Sequence, residues 1–507
     1  MKDSILTQAA EVTQTSRATW LALIAVSLNV FVAALDLTVM AAILPQLVYD
    51  FDIPLPGGLA DAAWIVNGYL IAYVVTMPVM GKVSDLYGRR LVFLVALAIF
   101  MVGSVGAALA TDVWIMVVAR VVQALGGGAM VPVALAAVSD AVAPHRRPFA
   151  IGTIAAVDTA GWVAGSAYGA WITTWLGWRW AFWVNVPIAL LGMVLVAWAL
   201  PPSGRSERRL DLVGMGLFTL FLLGFTTALY LGAPASPESG ALLAQSGPPE
   251  RSPWFWPLLA LSALLLALFV WWEQRVEEPL IDIRLLIGRI FAAANSISLL
   301  TGIILMAVMV EIPVLLQALS TSVDEAIATS GGLLAIFAGT MMLGALVAGP
   351  LLRLISPRWL SLLALLISTV GLWQMAEWGQ AQGLESLRLP LALAGLGLGL
   401  VTTAIATIVL DSVVEQERGI AASLLLVARL LGMTLGLSVL VTWALQRYDT
   451  LLAAAETPNL SDPDAAAQFA AVVARIMTTV VTDLFLATTI IALLALLPTL
   501  LRRRRTP

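Results

Sequence analysis

The sequence contains no cysteine and only one histidine, His145. Disulfides, structural zinc sites, iron–sulfur clusters and Cys- or His-based nucleophiles therefore have almost no side chains to draw on. The sequence also shows no P-loop, no Gly-x-Gly-x-x-Gly motif and no convergent catalytic set. We therefore expect no enzyme activity, no metal and no cofactor. The formal net charge of -4 gives no indication of a nucleic-acid partner.

Charge is also scarce. Of the 507 residues, 11% are charged and 60% are hydrophobic, and the mean hydropathy is +0.96. This composition is typical of a membrane protein. The first apolar run, from Trp20 to Pro45, is too long for a cleavable signal peptide, so we expect it to be a retained span. No sizeable soluble domain fits between the apolar runs.

A bilayer core requires about 20 apolar residues per helix. On that basis the sequence predicts an all-α polytopic membrane protein with fourteen spans and both termini on one side. The predicted spans are 20–44, 62–80, 92–110, 113–139, 148–171, 180–200, 212–231, 254–272, 291–317, 330–354, 358–377, 388–410, 419–443 and 478–500.

The basic residues orient these spans. Of the 27 Lys and Arg residues, 20 fall on the side of the termini and 5 on the opposite side; the other two, Arg120 and Arg429, lie inside spans. Since cytoplasmic loops carry the excess of Lys and Arg, both termini are predicted to be cytoplasmic. The skew also supports the helix count, because one missed span would scatter the basic loops over both sides.

A faint internal repeat divides the chain. The segment Gly81–Arg90 after the second span is similar to Gly349–Arg358 after the tenth, as expected of a transporter built from repeated bundles. We therefore predict a six-helix bundle over 1–200, a two-helix insert with its linkers over 201–285, and a second six-helix bundle over 286–507. The outer loop Gly232–Pro253 is predicted to be a flexible connector.

Residues 81–90, which we call the latch segment, carry the most specific pattern. Gly81 and Gly88 permit close approach and unusual backbone angles. Asp85 is expected beside the start of the third span, where a helix dipole favours an anion. The arginines can reach Asp85, Asp140 or lipid phosphates. The predicted latch, which stabilises one conformation of a rocking transporter, comprises Gly81, Asp85, Gly88, Arg89, Arg90 and Asp140.

The latch segment resembles the signature loop of the major facilitator superfamily. The fourteen-span layout, together with Ala34–Met40, Arg120–Pro132 and Trp178–Pro187, is similar to its drug:proton antiporter group with two extra central helices. The resemblance implies two six-helix bundles around a midplane cavity, a first-span acid and a fourth-span arginine. It also implies proton-driven multidrug efflux.

The fifth span departs from that group. Its Gly-Pro-x-x-Gly-Gly motif appears here as Gly165–Ala170, without the helix-kinking proline. Gly161, Gly165 and Gly169 still form a small-residue stripe suited to tight helix packing. Fewer residues therefore support the prediction of proton antiport than support the prediction of the fold.

Four ionisable residues inside spans are candidates for proton coupling or substrate binding: Asp36, Arg120, Asp158 and Glu311. A charge in mid-bilayer costs about 3 kcal/mol or more and persists mainly where it has a partner or a function. Asp36 and Arg120 are predicted to share one depth; a static ion pair between them is the alternative to a proton site. Arg429 is expected to pack against backbone carbonyls or an acid.

The sequence thus predicts a secondary transporter of the inner (plasma) membrane. We expect a monomer that contacts membrane lipid, takes a small amphipathic or cationic substrate and exports it by alternating access, driven by the proton gradient. A uniporter or importer of a specific metabolite is one alternative, and a non-transporting receptor is another.

Overall fold

A computed structural model describes residues 2–53, 59–200, 210–232, 252–320, 323–379, 383–455 and 465–500. In these ranges the chain is helical and contains no strand. The helices are α1 (Lys2–Asp50), α2 (Leu59–Tyr87), α3 (Arg89–Ala108), α4 (Val113–Ala141), α5 (Arg147–Leu176), α6 (Arg179–Trp183), α7 (Asn185–Ala199), α8 (Leu212–Gly232), α9 (Phe255–Glu273), α10 (Ile283–Ile287), α11 (Arg289–Leu319), α12 (Val323–Leu351), α13 (Pro357–Ala376), α14 (Arg388–Ser412), α15 (Arg418–Ala454) and α16 (Ala465–Leu500).

The described residues contain 13 segments that are long and apolar enough to cross a membrane. They correspond to thirteen of the fourteen predicted spans, with α6 and α7 together forming one of them. The remaining predicted span is α5, a helix of 30 residues whose glycines, hydroxyls and Asp158 lower its apolarity. The all-helical polytopic fold is thus confirmed. The less apolar helix α5 packs inside the bundle, on α1 and α12.

Several helix boundaries differ from those predicted. The sixth span is interrupted at Val184, between α6 and α7, and α15 and α16 have 37 and 36 residues. At 1.5 Å per residue each of these two helices is about 55 Å long, well beyond a hydrocarbon core of about 30 Å. Hydropathy marks the membrane-embedded part of a helix, whereas backbone hydrogen bonding continues into polar sequence. The predicted connector Gly232–Pro253 lies mostly outside the described residues.

Helix packing follows two parallel patterns. In the first half, α1 packs on α5 and α4 packs on both α2 and α3; in the second half, α11 packs on α15 and α14 packs on both α12 and α13. Contacts between the halves run mainly through α5 with α12 and through α2 with α15. The insert helices α8 and α9 pack on each other, and α8 also contacts α2. The division at 200 and 285 stays a prediction.

Candidate transport site

Asp36 lies at the centre of a buried polar cluster in the first half. Its carboxylate pairs with Arg120 of α4 and accepts hydrogen bonds from Gln123 Nε2 at 3.0 Å and Asn185 Nδ2 at 2.9 Å. Gln123 also donates to Ser104 of α3 at 2.7 Å. Both charged side chains are 1% exposed. The Asp36 carboxylate therefore ties α1, α4 and α7 together, and Gln123 links α3 to this cluster through Ser104.

Arg120 has partners on two further sides. Its guanidinium donates to Gln123 Oε1 at 2.7 Å and to the Asp36 carbonyl oxygen at 3.3 Å. Its central carbon also lies 3.9 Å from the centre of the Tyr69 ring, within the range of a cation–π contact. Both oxygens of Asp36 therefore have partners in this cluster, and Asp36 and Arg120 are in direct contact. The role of Asp36 as a proton site or in a static pair stays a prediction.

Asp158 and Arg429 form a second buried ion pair, and this one joins the two halves. Arg429 Nη2, on α15, donates to Asp158 Oδ2, on α5, at 3.2 Å. Arg429 Nε lies buried without a partner among the described residues, as does Arg120 Nε in the Asp36 cluster. The two pairs differ at the carboxylate, because Asp36 also accepts from Gln123 and Asn185.

This second pair lines a cavity between the halves, which we call the central cavity. Its empty volume is about 470 Å³, including any part open to the outside. Helices α4 and α5 form one wall, and α11, α14 and α15 form the other. Apart from the ion pair and the hydroxyl-bearing Ser298, Thr301 and Thr402, the lining is hydrophobic. A cavity enclosed by both halves is where alternating access exposes a ligand to each side in turn.

The glycine stripe of α5 packs against α1. A Cβ atom built on Gly161 would stand 2.6 Å from the Phe31 carbonyl oxygen, and one on Gly169 would stand 2.9 Å from the Val39 carbonyl oxygen. At Gly165 it would collide with Thr38 and with the Leu35 carbonyl. The stripe therefore brings two helix backbones into contact, and α5 runs unbroken through the region where the motif proline is missing.

The latch segment is mostly helical. Residues 81–87 form the last turns of α2, and only Gly88, with φ of 96°, interrupts the helix before Arg89 begins α3. A non-glycine residue rarely adopts that φ. A Cβ on Gly81 would stand 2.5 Å from the Gly419 carbonyl oxygen, so the start of α15 packs directly against the backbone of α2. The segment predicted as a loop is therefore a break of one residue between two helices.

Asp85 contacts the starts of two helices. As predicted, it lies beside the start of α3, where it pairs with Arg89. It also accepts the backbone N–H groups of Gly419 at 2.8 Å and Ile420 at 2.9 Å, in the first turn of α15. The backbone donors that hold the carboxylate thus come from the other half of the chain, a contact that the sequence did not predict.

Arg89 and Asp140 complete the latch. Arg89 pairs with Asp85, approaches Asp140 at 3.2 Å and donates to the Glu415 carbonyl oxygen at 2.9 Å. Asp140 in turn accepts from Arg418 at 2.6 Å. Arg90 makes no ion pair with the described residues. Four charged side chains therefore hold the two halves together at this end of the bundle, which we call the latch end.

Glu311 lies on α11, away from both ion pairs. It is 3% exposed, and neither of its carboxyl oxygens has a hydrogen-bond partner among the described residues. It lines a separate cavity formed by α11, α15 and α16. The predicted site residues therefore occupy three places: the polar cluster at Asp36, the central cavity at Asp158, and the cavity at Glu311.

Sequence reasoning missed the residues that complete the Asp36 cluster. Ser104, Gln123 and Asn185 are polar residues inside predicted spans, and all are almost completely buried. Gln123 and Asn185 lie in the quoted segments Arg120–Pro132 and Trp178–Pro187, so their polarity within apolar helices was a usable signal. Among the described residues no group of three or more His, Cys, Asp or Glu side chains could hold a metal ion.

The described residues contain 13 apolar, membrane-length segments and the long helix α5, packed in two parallel patterns with a charged cavity between them, as in a multi-pass membrane protein. The family model of the Major Facilitator Superfamily matches residues 26–437. The chain belongs to this superfamily. Its family and its curated relatives consist of transporters, so the chain is a transporter and not an enzyme.

Three similar curated proteins are named triacylglyceride transporters or probable ones. The chain is 35% identical over 450 residues to a triacylglyceride transporter of Mycolicibacterium hassiacum, which covers 85% of this chain and 80% of that protein. It is 33% identical over 458 residues to a triacylglyceride transporter of Mycobacterium tuberculosis, covering 86% and 85%. A probable triacylglyceride transporter of Mycobacterium leprae is 31% identical over 501 residues, covering 94% and 95%.

Solved structures support the fold alone. The human organic anion transporter superposes with a TM-score of 0.60 at 15% identity, covering 94% of this chain and 99% of that one. A proton:xylose symporter superposes with a TM-score of 0.59 at 14% identity, covering 94% and 95%. At these identities the likeness says nothing about the substrate.

Proposed function

We propose that this protein is a proton-coupled exporter of acylglycerol-type lipids, which works by alternating access around the central cavity. The names of the relatives supply the substrate class. The observation that carries the proposal is the Asp158–Arg429 pair, which crosses between the halves inside an otherwise largely hydrophobic cavity. An acyl chain fits such a lining, because burying apolar surface is favourable and needs no polar partner.

The ion pair links the proton to the movement. Breaking a buried pair by removing one charge leaves the other uncompensated, so the two states of the pair differ strongly in free energy. In the proposal, a proton on Asp158 releases Arg429 and loosens the contact between α5 and α15. Loss of that proton restores the pair and the contact. The latch holds the opposite end closed in the state described here.

The experiment uses purified protein in liposomes loaded with a fluorescent acylglycerol and an imposed pH gradient. Wild-type protein should transfer the lipid faster with the gradient than without it. The variant Asp158→Asn mimics the protonated form of Asp158. It should therefore lose the stimulation by the gradient while still exchanging lipid at equilibrium. The variant Asp411→Asn is the control, because Asp411 lies outside the lining of the central cavity.

Two results would overturn the proposal. One is lipid transfer by wild-type protein that is indifferent to the gradient, which would favour a uniporter. The other is an Asp158→Asn variant that responds to the gradient like wild type, which would remove Asp158 from the coupling.

Efflux of small amphipathic or cationic compounds is the second candidate. The central cavity places a buried acid and three hydroxyl-bearing side chains among hydrophobic ones, a lining that also suits an amphipathic cation. The likeness to the fourteen-span drug:proton antiporter group supports the same candidate. Gradient-driven export of a lipophilic cation, with no transfer of the acylglycerol in the same liposomes, would favour it.

The remaining features of the proposal come from the sequence. They are a plasma-membrane location, cytoplasmic termini, two six-helix bundles with a two-helix insert, and a monomer that uses the proton gradient without a cofactor. Labelling of single cysteines introduced at the termini of this cysteine-free chain, in intact and in opened cells, would test the orientation.

A further inference from the structure

Two acids lie together where the insert helices α8 and α9 meet at the latch end. Asp211 directly precedes α8, and Glu273 is the last residue of α9. Asp211 Oδ1 accepts the backbone N–H of Gly214 at 2.9 Å, and Asp211 Oδ2 accepts from Trp272 Nε1 at 3.0 Å. Glu273 Oε2 accepts the backbone N–H of Ile281 at 3.1 Å. Neither acid lines the central cavity.

One oxygen of each acid approaches the same point. A Cβ atom built on Gly214 would stand 2.2 Å from Asp211 Oδ2 and 2.3 Å from Glu273 Oε1, so these two oxygens are at most 4.5 Å apart. Glu273 is 4% exposed and Asp211 is 9% exposed. Glu273 Oε1 has no hydrogen-bond partner among the described residues. This orphaned oxygen therefore lies close to a second acceptor.

A proton gives both oxygens a partner. Two buried carboxylates repel each other, so two carboxyl groups that share one site keep a proton that an isolated carboxyl group would have lost. Asp211 already accepts N–H donors at both oxygens, and such donors favour the ionised form. A hydroxyl at Glu273 Oε1 can donate to Asp211 Oδ2. The geometry therefore assigns the proton to Glu273 and the negative charge to Asp211.

The charges around the two acids agree with one bound proton. Lys82, in the latch segment, is the cation whose charge acts on Glu273. One ammonium and two carboxyl groups are together neutral when the carboxyl groups hold one proton. The other charged side chains of the neighbouring elements are exposed, half-buried or paired: Arg275, Glu277 and Asp282 are exposed, Glu278 is half-buried, and Arg418 of α15 pairs with Asp140.

The same contacts connect the insert to the latch segment. Residues 274–282, which we call the return segment, lead from α9 to α10. Lys82 Nζ donates to the Pro279 carbonyl oxygen of this segment at 3.0 Å, and Glu273 holds it at Ile281. Leu280 and Ile281 are each 1% exposed, so the return segment packs into the core. A change of charge at Glu273 therefore acts on the segment that contacts the latch.

We propose that Asp211 and Glu273 form a proton-binding site that fastens the insert to the latch segment. With the proton bound, Glu273 donates to Asp211 and holds the return segment against Lys82. As the pH rises, the proton leaves to water, the two carboxylates repel each other, and the return segment moves away from α2. The site is separate from the Asp158–Arg429 pair, so it does not depend on the proposed lipid transport.

Distance measurements on the full chain in lipid nanodiscs test this assignment. Spin labels are attached to cysteines introduced at Tyr87, the last residue of α2, and at Gln274, the first residue of the return segment. Both positions are exposed, and the chain has no other cysteine. From mildly acidic to mildly alkaline pH, the distance in wild-type background should lengthen and its distribution should broaden.

Two variants should abolish this response. Glu273→Gln replaces the shared proton with an amide N–H that can donate to Asp211 at every pH. Asp211→Asn removes the negative charge that repels an ionised Glu273. Both variants should keep the short distance over the whole pH series. Asp282→Asn is the matched control, because Asp282 is an exposed acid of the same segment, and it should respond to pH like wild type.

Infrared difference spectra detect the proton itself. At neutral pH, the wild-type spectrum minus that of Glu273→Gln should show the carbonyl stretch of a protonated carboxyl group. This band should vanish at alkaline pH. The wild-type spectrum minus that of Asp282→Asn should show no such band at neutral pH, because an exposed carboxyl group is ionised there.

A wild-type distance that does not change with pH would overturn the assignment. So would a wild-type pH response that persists in Glu273→Gln or in Asp211→Asn, or an infrared difference without the carbonyl band. Either variant is sufficient, so failure of one to fold leaves the other to decide. Neither readout uses lipid transfer, so a failure of the proposed function would leave these results unchanged.

Discussion

The Asp85 carboxylate, at the end of α2, accepts the backbone N–H of Gly419 at 2.8 Å in the first turn of α15. The two residues are 334 positions apart, so the contact joins the two halves of the chain. Asp85 acts as a cap for a helix that begins far along the chain, in the other half. The stability of the latch end therefore depends on one carboxylate that serves both α15 and Arg89.

Replacing Asp85 should open the latch end. In Asp85→Ala the first turn of α15 loses its acceptor and Arg89 loses a charge partner; loss of a cap alone costs about 1 kcal/mol. The population should shift towards the state in which the latch ends are apart. Spin labels on cysteines introduced at His145 and Gln416, which are exposed and lie on opposite halves, would report a longer distance.

Two control variants sharpen this test. Asp85→Asn keeps a neutral acceptor for the backbone of α15, so it should give an intermediate shift. Arg90→Ala removes an arginine without an ion pair to the described residues, and it should leave the distance unchanged. An Asp85→Ala variant with the wild-type distance distribution would show that the latch does not hold the halves together.

Two related ion pairs should differ in strength. Asp140 lies 2.6 Å from Arg418, and its side chain is 17% exposed; Asp411 lies 3.8 Å from Arg147, and its side chain is 51% exposed. Exposed pairs contribute about 0–1 kcal/mol, whereas breaking a buried pair costs about 3–5 kcal/mol. Asp140→Asn should lower the thermal unfolding temperature clearly more than Asp411→Asn. Equal decreases in unfolding temperature would mean that the partial burial of Asp140 does not strengthen its ion pair.

The Asp36 cluster should be structural. Asp36→Asn leaves Arg120 buried without its counter-charge, so we expect a loss of roughly 3–5 kcal/mol in stability. Asn185→Ala removes one hydrogen bond from a neutral donor to the same carboxylate and should cost less, about 1.5–3 kcal/mol. Thermal unfolding in detergent, followed by the lipid-transfer assay, would compare them. An Asp36→Asn variant of normal stability that has lost gradient-driven transport would instead identify Asp36 as a proton site.

The contact between α1 and α5 should tolerate no side chain at Gly165. Gly165→Ala would push a methyl group into Thr38 and the Leu35 carbonyl, and overpacking of this kind costs about 1–3 kcal/mol. Gly331→Ala is the matched control, because no atom lies within 4 Å of the added carbon. In an α-helix that control should be neutral or stabilising by up to about 1 kcal/mol. Equal unfolding temperatures for the two variants would contradict the close approach of the helices.

Predictions from the sequence agreed best with the structure where they depended on position along a single helix. Asp36 and Arg120 were predicted to share a depth, because depth follows from counting residues along two helices. Whether they touch depends on helix rotation, and the structure shows that they do. Asp158 and Arg429 were recognised as separate buried charges. Their pairing was not predicted, because it requires the packing of α5 near α15 across the two halves.

The cross-pairing of the two halves shows the same limit. In sequence, Asp140 is followed by Arg146 and Asp411 by Arg418, so the same order of acid and arginine recurs in both halves. In the structure Asp140 pairs with Arg418 and Asp411 with Arg147. The repeat was visible in the chain, but the exchange of partners between the repeats was not.

The sequence by itself determined that this chain lies in a membrane, that it is built of long helices, and that a few charges are buried in them. Composition and apolar length decide those properties, because lipid offers backbone groups no hydrogen-bond partners outside the helix. Only the tertiary structure decided which charges meet, which cavity each one faces, and that Glu311 has no partner among the described residues. Those outcomes depend on the rotation and contact of helices far apart in the chain, which no local pattern encodes.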